Sequence, residues 1–63
     1  MLLNTQPNIV DADGFYADLL TAHRGLNEAE SHALNARLVL ILSNHIGDSE
    51  VLTKALALAK AKG

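Results

Sequence analysis

The 63-residue chain has no cysteine and no tryptophan, and only one proline, one phenylalanine and one tyrosine. The missing thiols exclude disulfides and thiolate metal sites together, removing the two usual staples of very small domains. With so few rings, the 49% apolar content rests on twelve leucines plus Ile, Val and Ala, a makeup suited to helix-on-helix packing and unlike that of disordered chains. Cations are also scarce. Five Lys and Arg against seven Asp and Glu leave no basic patch, so DNA and RNA are not expected as partners. No apolar run approaches the roughly 20 residues that span a bilayer, and no positive stretch precedes Leu2-Leu3. The expectation is a cytoplasmic, unprocessed protein with no membrane partner. A chain this short buries only about 60% of the surface its unfolded form exposes, which leaves oligomerisation as the remaining staple.

What is present is helical. The central stretch, Glu28 to Asp48, carries five consecutive large apolar residues, Leu38 to Leu42, which put hydrophobic surface almost all the way round the middle of one helix. Something must cover that belt on more than one side. Before it, residues 1–10 follow neither a helical nor a strand period and read as an extended lead-in, with Leu2, Leu3, Ile9 and Val10 available to strap across a helix seam. Asp11 is the expected N-cap of helix one, about residues 12–24, with Val10 and Phe15 placed for a hydrophobic staple. Phe15, Leu19 and Ala22, flanked by Tyr16, Leu20 and His23, form its inward stripe. Gly25 ends it as a glycine just past the C-terminus.

Asn27 then caps helix two, about 28–46, and Glu30 three residues on completes a capping-box pattern. The link of about two residues predicts an antiparallel αα-hairpin. On the helix-two wheel, Leu34, Leu38, Ile41 and His45 share one line, with Val39, Leu42 and Ile46 on its flank. Arg37 and Asn44 form a polar strip, and Ala33, Ala36 and Leu40 lie on the back, where small residues admit a close helix. Gly47 stops the helix. Asp48 or Ser49 caps helix three, about 49–61, whose Val51, Leu52, Ala55, Leu56, Leu58 and Ala59 face inward and whose Glu50, Thr53, Lys54 and Lys60 face water. No repeat, low-complexity tract or domain linker interrupts the chain.

Few residues point to chemistry. His45 lies in line with apolar neighbours, where burial demands a hydrogen-bond partner; the bland reading is a satisfied structural histidine, and the functional one a ligand or proton-handling group at the bundle end near Asp11, Asp13 and Asp48. Arg37 and Asn44 are a solvated face or an interfacial salt bridge on the bland reading. On the sharper one they hold a carboxylate of a partner protein or small acid, with Asn35 lending a hydrogen bond. Glu28 and His32 stand at i, i+4 and could chelate together with His23 across the short turn, but no HExxH or Glu-x-x-His pattern is present, so no metal and no cofactor is expected. There is no nucleophile elbow, cysteine nucleophile or glycine-rich phosphate loop, and a bundle this small offers little room for a pocket of about 300 Å³. Phe15 and Tyr16 read as core rather than a stacking platform. The chain is not expected to be an enzyme.

The strings Gly14-Phe15-Tyr16, Ala22-His23-Arg24-Gly25-Leu26, Ser31, Leu34-Asn35-Ala36-Arg37-Leu38 and Asn44-His45-Ile46-Gly47-Asp48 resemble a family of very short proteobacterial proteins of unknown function, domain-of-unknown-function family 2783. The resemblance runs from Pro7 to the end of helix three. It carries no activity over; a setting beside flavin-dependent aromatic hydroxylases would imply an accessory role in aromatic-compound metabolism. The resulting expectation is an all-α protein, a three-helix unit with an antiparallel αα-hairpin and a central long helix. It dimerises into a helical bundle along the back of helix two and part of helix three. Its function is that of a small non-enzymatic accessory protein binding itself and a partner protein or enzyme. The alternatives are a small-ligand or metal-binding module using His45 with nearby Asp, or His23, His32 and Glu28, and a helix-turn-helix regulator, which has the right size and the wrong charge.

Overall fold

Each helix begins where a short polar side chain can take up the orphan N–H groups of a first turn. In the computed structural model, which describes residues 2–61, α1 spans Ala12–His23, α2 spans Glu28–Ile46 and α3 spans Ser49–Ala61, and no strand occurs among the described residues. Asp11 Oδ1 accepts from the Gly14 N–H at 3.0 Å, starting α1 as expected. Asn27 Oδ1 accepts from the Glu30 N–H at 2.8 Å while Glu30 Oε1 accepts from the Asn27 N–H at 3.0 Å, so the capping box of α2 closes in both directions. Of the two candidates before α3, Asp48 is the cap: its Oδ1 accepts from the Val51 N–H at 3.1 Å and its carbonyl from the Leu52 N–H at 3.0 Å.

Two glycines make the corners. Arg24 (φ −61, ψ 130) and Gly25 (φ +82), with the Leu26 N–H donating to the His23 carbonyl at 3.1 Å, form a type II turn, whose third position needs positive φ. Gly47 (φ +69) closes α2 in the left-handed region and donates its N–H to the Ser43 carbonyl at 2.9 Å.

The packing departs from the sequence reading. Val10 is 105% exposed and Phe15 is exposed, so the staple at the start of α1 does not form. Leu2, Ile9 and Val10 likewise stand in solvent, and of the expected strap only Leu3 is half-buried. The α1 stripe is covered at Leu19 and His23 but bare at Phe15, Tyr16 and Leu20. On α2, Leu34 and Leu38 of the inward line are half-buried, whereas Ile41 is 64% exposed and His45 is exposed. Among the described residues Val51, at 6%, is the one buried hydrophobic residue, while fourteen large apolar side chains are exposed. Among the described residues no two helices make extended contact with one another. The radius of gyration is 13.4 Å, against about 10.6 Å for a compact chain of this length. No helix among the described residues is long and apolar enough to cross a membrane.

Candidate functional site

Two places where side chains from different helices meet stand out among the described residues, and neither gathers the residue set expected from the sequence. The first is the corner between α1 and α2. His23, in the last turn of α1, hydrogen-bonds through Nδ1 to the Leu19 carbonyl at 2.9 Å, and its Nε2 lies 3.0 Å from Oδ1 of Asn35 on α2. A protonated ring donates to both oxygens. A neutral ring keeps the Leu19 bond and accepts from the Asn35 amide once that amide is turned to present its NH₂. The link ties the end of α1 to α2 in either state. Asn35, expected beside Arg37 as a lender of a hydrogen bond to a ligand, is thus occupied within the chain.

The remaining sequence candidates do not converge. Arg37 and Asn44 are both exposed on α2 and keep the character of an outward polar strip. His45 is exposed rather than a buried, satisfied ring, as is Ile41 one turn before it on the same line. Asp11 and Asp48 are committed to capping α1 and α3. Among the described residues no three of His, Cys, Asp and Glu lie close enough to hold a metal ion, so neither His23, His32 and Glu28 nor His45 with its neighbouring carboxylates assembles a ligand set.

The second place is a groove of about 470 Å³ between α2 and α3, lined by Val39 and Ser43 from α2 and by Leu52, Ala55, Leu56 and Ala59 from α3. The sequence argued against room of this size; the room exists because α2 and α3 do not close on one another. Its walls offer a single polar side chain, Ser43. The spacing Leu52, Ala55, Leu56, Ala59 is i, i+3, i+4, i+7, one stripe of α3, while Glu50 and Lys54 lie on the opposite side of that helix. The stripe was legible as an inward face. That the inside is open was not.

Chemically, this surface is suited to burying apolar groups, with the Ser43 hydroxyl as the polar side chain in its walls. The family model described as "Protein of unknown function (DUF2783)" matches residues 3–61. No curated protein and no solved structure matches the chain.

Proposed function

The chain belongs to the DUF2783 family of proteins of unknown function, and from its surface we propose that it is a non-enzymatic accessory protein that assembles with copies of itself and offers its outer polar face to a partner enzyme. The observation that carries this reading is area. A compact monomer of 6.7 kDa exposes about 3,900 Å², and this chain exposes 5547 Å². Large apolar side chains contribute to the excess: Val39, Leu40, Ile41 and Leu42, consecutive on α2 and so spread round it, and Leu56 and Leu58 on α3 are all exposed. Monomeric soluble proteins rarely leave so much contiguous hydrocarbon in water, and a second copy supplies the cover with no further gene product.

In the assembled form Arg37 and Asn44 remain as the polar strip for a partner, Arg37 through bidentate recognition of a carboxylate. The setting implied by the family resemblance, an enzyme of aromatic-compound metabolism, is the first partner to try. A small-ligand module built on His45 has less support, because that ring stands exposed and Asp11 and Asp48 are engaged in caps. Solution mass by multi-angle light scattering tests the reading. The expected value is about twice the chain's 6.7 kDa; a folded, fully helical species at the single-chain mass would reject it.

A further inference from the structure

We propose that the groove between α2 and α3 is the seam, and that its occupant is α3 of a second copy, the two copies interlocking about a two-fold axis into a four-helix core of two α2 and two α3 helices. This deepens the self-assembly reading and rests on it. It also moves the seam away from the back of α2 at Ala33, Ala36 and Leu40, and onto the side at Val39 and Ser43.

Three observations select this occupant. The first is size. Two separate chains expose twice 5547 Å², whereas a compact protein of twice 6.7 kDa exposes about 6,500 Å², so closing the pair removes about 4,600 Å². That lies within the roughly 2,000–5,000 Å² of obligate homodimers. The second is symmetry. A two-fold interface uses one patch on both partners, and here one patch contains both the groove and a helix that can fill it: α3 enters the partner's groove as the partner's α3 enters this one.

The third is the chemistry of the α3 stripe. Ala55 and Ala59, one turn apart along one edge of the face, allow two helix backbones to approach closely there, while Leu52 and Leu56 along the other edge fill the space beside them. No charged residue lines the groove, and the charges of α3 at Glu50 and Lys54 point away from it, as the core of an interface requires. A small apolar ligand would need a polar group to orient it, and Ser43 alone provides one.

The absence of cysteine makes the test clean, since any introduced thiol is the only one in its chain. Ala55→Cys and Ala59→Cys, singly and mixed, are compared with Ala57→Cys on the far side of α3 and Leu40→Cys on the back of α2. Each is oxidised with copper-phenanthroline, with circular dichroism confirming that each variant folds as wild type does. The result expected is a disulfide-linked dimer for position 55, position 59 or their mixture, formed at least tenfold faster than at position 57 or 40. Wild-type dimers whose cross-linking runs fastest at position 40 or 57, or at no position, would overturn the groove as seam while leaving self-assembly standing. A wild-type monomer would overturn both, and light scattering on the same samples tells the cases apart.

Discussion

The two corners of this chain are built by different physics. Between α1 and α2 the join is polar and directional: a type II turn at Gly25, a reciprocal capping box at Asn27 and Glu30, and the His23 to Asn35 bond that reaches across. Between α2 and α3 the ends are just as well satisfied, by Gly47 and by the Asp48 cap, yet beyond the buried Val51 the helices leave an apolar groove between them. One corner is tied by polar bonds within the chain. The other buries Val51 and has apolar surface to spare, and on the present account that surface becomes interior only when a second copy supplies the missing helix.

The contrast is most severely tested by placing a charge in the groove. Leu56→Glu sets a carboxylate where the dimer would bury it without a cation, which costs about 3–5 kcal/mol per uncompensated charge. The expected outcome is loss of the dimer by light scattering together with loss of helical dichroism. A Leu56→Glu dimer of unchanged thermal stability would remove the distinction between the corners, because an exposed helix position tolerates Glu with little effect.

Next in size are the two glycine corners. Gly25→Ala and Gly47→Ala each force a side chain into positive φ, at about 1–2 kcal/mol. Their local costs are alike, but their consequences should differ: Gly47→Ala resets the angle at which α2 and α3 frame the groove and should raise the dimer dissociation constant, while Gly25→Ala should lower thermal stability with dissociation little changed. Sedimentation of the two variants side by side would sharpen the comparison. Equal shifts in dissociation would blur it.

The smallest effect belongs to the polar bridge. Asn35→Ala removes one exposed hydrogen bond and should cost about 0.5 kcal/mol, at the low end for such contacts. A double-mutant cycle with His23→Ala by urea unfolding reads the coupling, and a coupling of zero would mean the corner is held by its turn and capping box alone.

How much of this was legible in the sequence follows the same divide. The caps Asp11 and Asn27, the box at Glu30, the stops at Gly25 and Gly47 and the bounds of all three helices are local: they depend on residues within three or four positions, and the sequence states those neighbours outright. Even there, Gly25 serves a turn of a different type from the helix-end glycine expected, because Arg24 leaves the helix already extended. The Val10 and Phe15 staple failed because its partners need the lead-in to fold back, and nothing local compels that.

The faces are apolar as the periodicity predicts, and much of their length is uncovered by the chain itself. Periodicity says which side of a helix avoids water; it cannot say whether cover comes from the same chain or another. His45 lies in line with Leu34, Leu38 and Ile41, which suggests either a satisfied structural ring or a group at the bundle end, but that line is covered only at its first half. The His23 to Asn35 link spans twelve residues between two helices, and no spacing rule connects such a pair. The groove had a signal in the i, i+3, i+4, i+7 stripe of α3, which, taken with the bare Val39 side of α2, marks the same surface from both walls.

The most direct test of the central claim, that this fold is completed by a second copy, is helicity followed by circular dichroism across a dilution series, with mass measured at each point. Because a partner that binds only the folded chain stabilises it by mass action, the account predicts a melting temperature that rises with concentration and helicity that falls as the mass drops from two chains to one. Helicity and melting temperature independent of concentration, at single-chain mass throughout, would contradict it.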